Sequence, residues 1–248
     1  MADSSAVGLD PVFGQTHEPF VGGCLKFSEL SPGSRAIWAK SAPAASHSLL
    51  AHLLDVAAVA ETLLSLEPGA SHRWIAAGLG LEDVRVARWV AAVAGLHDFG
   101  KAIPGFQAKW PEGMQADQAQ GLGFPASACS HTRHDLATAA LLGKALYGLV
   151  PTETGWLRHA VQAVSAHHGY HFLADEVNQG KPLNEPAEWD QARKEILFGY
   201  WQVLAPEGRP ALDELSLAAV NWLAGLTSVA DWIASNPDWF APGERGFD

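Results

Sequence analysis

Between His47 and Leu66, the residues Leu49, Leu50, Leu53, Val56, Ala57, Ala60 and Leu64 recur every three or four positions, the period of one buried helix face. Ser46, after a turn at Pro43, stands where an N-cap belongs, and Pro68 with Gly69 closes the run. His52 and Asp55, three positions apart, share a face of it. A shorter helix is predicted over Ser71–Gly80. A longer one is predicted over Asp83–His97, where Val86, Trp89, Val90, Val93 and Leu96 point one way and Arg85 and Arg88 the other. The same period predicts helices over Thr132–Leu149, Thr154–His168 with Gly169 as its stop, Ala187–Val203 and Leu212–Ser235. Residues before Arg35 are rich in Gly, Pro and Ser without a period, and read as a lead-in over 1–37 with a short strand or turn near Val21–Phe27. Pro104–Pro125 and Asp175–Pro186 read as loops. Strand patterns are almost absent, so the expectation is an all-α fold, a bundle of about six to eight helices in one globular domain over 38–248.

A hydrophobic share of 48% over 248 residues suffices for a substantial core. With 27 acidic against 16 basic residues, net −11, the chain is a poor match for nucleic acid gripped by basic surface alone. A polyanionic substrate would have to be held by metal ions, a local patch or a partner. Cys24 and Cys129 form neither a disulfide framework nor a Cys-x-x-Cys, which points to a reducing, cytoplasmic setting. Met1–Asp10 is polar and acidic, unlike a signal peptide. The longest apolar stretch, Trp89–Leu96, falls far below the ~20 residues that cross a bilayer, so no membrane partner is expected. Ten tryptophans are scattered along the chain and are expected to pack core and rim rather than to stack bases.

The chemistry gathers at Ala91–Phe106. An apolar run delivers His97 and Asp98 side by side, Gly100 lets the chain turn, and Lys101 follows. An imidazole and a carboxylate can share one divalent cation while the carboxylate reaches a second, and a helix ending there directs the negative end of its dipole at them. Other helices supply His52, His134, the pair His167 and His168 ahead of Gly169, and Asp231. Neighbouring helix positions point about 100° apart, so the histidine pair can serve one ion or two. Asp231 lies in an apolar run, where a carboxylate needs a salt bridge or a metal. Lys101 is a candidate partner for it, and equally a candidate contact for a substrate phosphate. Taken singly, His52 and Asp231 also read as ordinary structural residues. The histidine-rich set suits Mn, Ni, Co or Fe better than Mg, which prefers oxygen.

Six segments in order carry a resemblance: Trp38-Ala-Lys-Ser41, His47-Ser-Leu-Leu-Ala-His52-Leu-Leu-Asp55, His97-Asp98-Phe-Gly100-Lys101, Arg133-His134, His167-His168-Gly169 and Ala230-Asp231-Trp232-Ile-Ala-Ser235. Together they resemble the HD nuclease of type I CRISPR interference, the nuclease part of the CRISPR-associated helicase-nuclease, within the HD phosphohydrolase superfamily. The resemblance runs from Trp38 to about Asn236 and implies an HD-domain-like helical bundle. It further implies two divalent transition-metal ions. His52, His97, Asp98 and Asp231 would hold one, and His134, His167 and His168 the other, with Asp98 bridging. His97, Asp98 and Lys101 would be the catalytic residues, the lysine stabilising charge on the scissile phosphate. His131, three positions before His134, could take its place, although the Arg-His form favours His134. His17, His47, His72, His159 and His171 are left as structural. The implied activity is metal-dependent hydrolysis of single-stranded DNA, endo- or exonucleolytic, in the degradation of target DNA. The implied partners are a superfamily 2 helicase, fused or separate, and the surveillance complex Cascade. No segment resembles a helicase Gly-x-x-x-x-Gly-Lys-Ser/Thr, because Gly143-Lys144 lacks the hydroxyl residue. Two other readings share this pattern: an HD phosphohydrolase acting on nucleotides or cyclic nucleotides, and a catalytically inactive HD-fold scaffold.

Overall fold

The apolar faces read from the sequence meet at one centre. The computed structural model describes residues 26–42, 45–67, 69–147, 149–150 and 152–243. In chain order it holds α1 (Pro32–Ala36), a hairpin of β1 (Trp38–Ala42) and β2 (Ala45–Ser48), α2 (Leu49–Ser65), α3 (Gly69–Leu79) and α4 (Val86–Ala94). The 3-10 run Gly95–Lys101 comes next, followed by α5 (Pro104–Gln107), α6 (Pro111–Ala119), α7 (Ala126–Cys129) and α8 (His134–Leu146). The rest is α9 (Thr154–Ser165), α10 (Ala174–Gln179), α11 (Ala187–Leu204) and α12 (Leu217–Ala234). Helix α2 packs on α4, on α12 and on the 3-10 run; α8 covers the other side of that run, and α9 joins α8 to α12. Leu49, Leu53, Leu64, Trp89, Leu96, Trp156, Trp189 and Tyr200 fill the shared core, each large aliphatic or aromatic side chain contributing about 1.5–3 kcal/mol of burial.

The expected bundle is present, and the differences are local. The turn at Pro43, Pro68 and the readings on residues 1–25 lie outside the described residues. Ser46 sits in β2, and the cap of α2 is Ser48, whose Oγ accepts from Ala51 N–H at 3.2 Å. Pro104–Pro125 is not one irregular loop: Pro104 and Pro111 start α5 and α6, since proline's fixed φ suits a first helical position. Asp175–Pro186 likewise contributes most of α10. Helix α12 averages a mean hydropathy of 1.3 over 18 residues, long and apolar enough to cross a membrane. Asn221, Thr227 and Asp231 interrupt its apolar sequence, so no uninterrupted apolar run in it is as long as Trp89–Leu96. Its buried face packs on α2, α4 and α9.

The element that positions the chemistry departs most from expectation. The α-helix predicted through His97 stops at Ala94 and tightens into the 3-10 run, all seven residues of which are buried. In that geometry side chains three positions apart eclipse one another, which brings Lys101 Nζ to 2.5 Å from Asp98 Oδ2. The run is tied on both sides. Thr138 of α8 accepts Gly100 N–H at 2.8 Å and donates to the His97 carbonyl at 2.9 Å. The buried Gln107 amide donates to the Lys101 carbonyl at 2.9 Å and to the Trp38 carbonyl at 2.8 Å, and accepts Trp38 N–H at 3.1 Å, anchoring β1 beside the run.

Candidate metal centre

Five elements converge on Asp98. His52 comes from the end of the first turn of α2, His97 and Asp98 from the 3-10 run, His134 from the first turn of α8, and Asp231 from the last turn of α12. His167 and His168 follow the end of α9, where the turn is completed by Gly169 at φ +85°, a left-handed conformation that glycine adopts without strain. Asp98 Oδ2 lies 3.1 Å from His52 Nε2 and 3.2 Å from His97 Nε2. Its other oxygen, Oδ1, lies 3.1 Å from His134 Nε2 and 3.7 Å from His167 Nε2. Asp231 Oδ1 stands 3.4 Å from both His52 Nε2 and His97 Nε2, while His168 Nε2 is 3.1 Å from His134 Nε2.

The donors thus form two groups, His52, His97, Asp98 and Asp231 in one and His134, His167 and His168 in the other. One carboxylate turns an oxygen to each. All seven residues named from the sequence come together, while His131 stands outside, its Nε2 hydrogen-bonded to the Gln179 carbonyl. His47, left as structural, bonds Asp55 at 2.7 Å. Lys101 pairs with Asp98, and the lysine beside Asp231 is Lys40, at 3.8 Å. Lys101 as the partner of Asp231 is therefore corrected: the hairpin that delivers Lys40 had no strand signal. Lys40, Gln107, Thr138 and Ser235 were missed as supporting residues. Lys40 and Ser235 lie within two of the segments that carry the resemblance, and Ser235 also follows Asp231 by one helical turn; nothing in the sequence marks Gln107 or Thr138.

The protonation states suit cations. Burial and the His97 charge push His167 down to about 3, leaving it neutral. Its Nδ1–H donates to the Val164 carbonyl at 2.8 Å, so Nε2 carries the lone pair aimed into the site. Burial also lowers His52 and His168. For Asp98, burial alone would favour the acid, but His97, Lys101, His134 and His52 hold it well below the ordinary 3.8. Burial acts the same way on Asp231, where His52 and His97 outweigh it and keep the carboxylate charged. Burial disfavours charge on His97, yet Asp98 and Asp231 overcome that and push it up to about 9. The two carboxylates that favour positive charge on His97 would equally favour a divalent cation beside it.

These residues fit a pair of metal ions by a second criterion. Nε2 of His97, Nε2 of His167 and Oδ1 of Asp98 are buried without a hydrogen bond, an arrangement costly to leave unsatisfied. Imidazole nitrogen with carboxylate oxygen is a donor set for first-row transition ions. The first group is almost wholly buried, whereas His168 is exposed and His134 half-buried. The site therefore opens to solvent on the side of the second group.

A family model described as "Cas3, HD domain" matches residues 38–240. The CRISPR-associated endonuclease/helicase Cas3 of Thermus thermophilus is 36% identical over 216 residues, 84% of this chain and 23% of that protein. The chain therefore spans less than a quarter of that relative's length. Among solved structures, the Thermus thermophilus cas3 HD domain in the presence of Ni2+ is similar at TM-score 0.66 and 31% identity, over 87% of this chain and 82% of that one. Another, described as a CRISPR-associated protein, is similar at TM-score 0.75 and 31% identity, over 87% of this chain and 25% of that one.

Proposed function

The chain belongs to the Cas3 HD domain family, and from that premise we propose that it hydrolyses phosphodiester bonds of single-stranded DNA at two divalent transition-metal ions. The observation that carries this reading is the position of Asp98, whose two carboxylate oxygens face the two donor groups separately. His52, His97, Asp98 and Asp231 would hold one ion, and His134, His167 and His168, with the second oxygen of Asp98, the other. Bound there, the ions supply Lewis acidity that activates water and neutralises charge on the reacting phosphate.

The chain's own residues do the rest. The neutral imidazoles of His52 and His167 offer lone pairs, and the buried carboxylates stay ionised. Lys101 places a cation at the rim of the first group, where a phosphate oxygen can replace part of its contact with Asp98. The Phe106 ring lies 5.5 Å from the Lys101 amine and 5.2 Å from the His134 ring, an apolar neighbour to both. Two divalent charges against two carboxylates leave the loaded pocket positive, which accounts for polyanion binding by a chain of net charge −11. The contacts are to phosphate rather than to base edges, so little sequence preference follows.

A superfamily 2 helicase, fused or separate, and the surveillance complex Cascade are the proposed partners, with the cytoplasm as the setting. The relative carrying both endonuclease and helicase in its name supports the helicase.

Metal removal tests the reading. Circular single-stranded DNA is expected to be cut in the presence of Mn2+ or Ni2+, to survive when the protein has been stripped by chelator, and to be cut again after Mn2+ is restored. The bound ions should also raise the melting temperature, by mass action on the folded state alone. Turnover of free nucleotides or cyclic nucleotides with the circle left intact would overturn the DNA reading in favour of a nucleotide phosphohydrolase. Absence of any metal-dependent hydrolysis would leave an HD-fold scaffold.

A further inference from the structure

Lys40 and Ser235 belong to neither donor group, yet they meet directly beside one. Ser235 follows Asp231 by one turn at the end of α12 and donates its hydroxyl proton to Asp231 Oδ1 at 2.7 Å. Lys40 reaches across from β1 and donates to Ser235 Oγ, with Nζ 3.8 Å from that same carboxylate oxygen. The strand that carries the lysine is itself anchored to α2. Lys40 pairs across the hairpin with His47, which bonds Asp55 at 2.7 Å, one turn beyond His52 on α2. A closed chain of contacts therefore runs from the helix bearing His52, through the hairpin, to the carboxylate of Asp231, which lies 3.4 Å from His52.

We propose that Lys40 and Ser235 are positioning residues that hold the Asp231 carboxylate with Oδ1 toward His52 and His97, and so set the cation affinity of that four-residue group. The inference rests on the reading above that this group holds a divalent cation. Two effects of Lys40 on that affinity have opposite signs. Its charge repels a cation, so if charge alone mattered, removing the amine would tighten binding. Its contacts also keep the carboxylate from rotating out of the group, and loss of such an outer partner typically weakens metal binding about 10–100-fold. The sign of the change separates the two.

The test is a Mn2+ titration of chelator-stripped protein, with free ion followed by electron paramagnetic resonance, for wild type, Lys40→Met, Lys40→Arg and Ser235→Ala. Wild type is expected to take up two ions. In Lys40→Met and in Ser235→Ala, one of the two dissociation constants should rise about 10–100-fold while the other stays unchanged, and Lys40→Arg should recover most of the loss. Ser235→Ala keeps the lysine charge, so a matching loss there cannot be a charge effect. Unchanged or tighter binding in Lys40→Met, with two ions still bound by wild type, overturns this inference and leaves the nuclease reading standing. A wild-type protein that binds no Mn2+ overturns both.

Discussion

Replacing Asp98 by alanine is expected to lower cleavage of circular single-stranded DNA by about a thousandfold or more, some ~4 kcal/mol of barrier at about 1.4 kcal/mol per decade. Asp98 presents one carboxylate oxygen to each donor group, Oδ2 to His52 and His97 and Oδ1 to His134 and His167. Its loss removes a ligand from each ion at once, so metal content should fall from two ions to none. His168→Ala, by contrast, trims only the exposed group and should leave one. Alanine also strands Lys101, which is 7% exposed, without its counter-charge, and breaking a buried pair from one side costs about 3–5 kcal/mol. Asp98→Asn separates the effects. It keeps the volume and one oxygen, and with them more of the stability, while the missing charge still removes the activity. Full activity in either variant would contradict the role given to this carboxylate.

Gly100→Ala is expected to damage both the packing and the site. A Cβ there would run into the His134 carbonyl oxygen and the Thr138 amide nitrogen, and stand 2.9 Å from the Ala137 carbonyl carbon. These are backbone atoms of α8 and cannot swing aside as a side chain would. Helix α8 must move off the 3-10 run, which breaks the Thr138 hydrogen bonds to Gly100 N–H and to the His97 carbonyl and carries His134 away from Asp98. Overpacking costs about 1–3 kcal/mol and more where nothing can relax. For a chain of this size each kcal/mol is worth about 2–4 °C of melting temperature, so the upper end of that cost, about 3 kcal/mol, lowers it by about 6–12 °C, to be read by calorimetry on the metal-free protein. Affinity for the second ion should fall with it. A variant melting within a degree of wild type would show that α8 and the run are not in the close contact described.

The sequence carried the long helices because Leu49 to Leu64 and Val86 to Val93 face one continuous core, and a buried stripe leaves its period in the chain. It carried the seven histidine and aspartate residues that the fold brings together because an imidazole and carboxylate set is visible in the residue types, whatever the local backbone. What it did not carry was set by contacts distant in sequence. The stretch Trp38-Ala-Lys-Ser-Ala42 has no β-branched residue. It is a strand because Gln107, 69 positions away, takes both hydrogen-bonding groups of Trp38 and because β2 pairs with it. The missed hairpin hid Lys40, and with it the lysine that accompanies Asp231. The shift from α to 3-10 after Ala94 has no signature in Gly95-Leu-His-Asp-Phe-Gly-Lys101; α8 and α2, packed on either side of that run, accompany it. Proline-led pieces such as α5 and α6 are too short to show a period, so their Gly, Pro and Gln composition reads as loop.

The most direct measurement is anomalous scattering from crystals grown with Mn2+ or Ni2+, with data on both sides of the absorption edge. The account predicts two peaks, one enclosed by His52, His97, Asp98 and Asp231, the other by His134, His167 and His168, with an Asp98 oxygen on each. Clear protein density with no peak in either group, or with the ions elsewhere on the molecule, would contradict it.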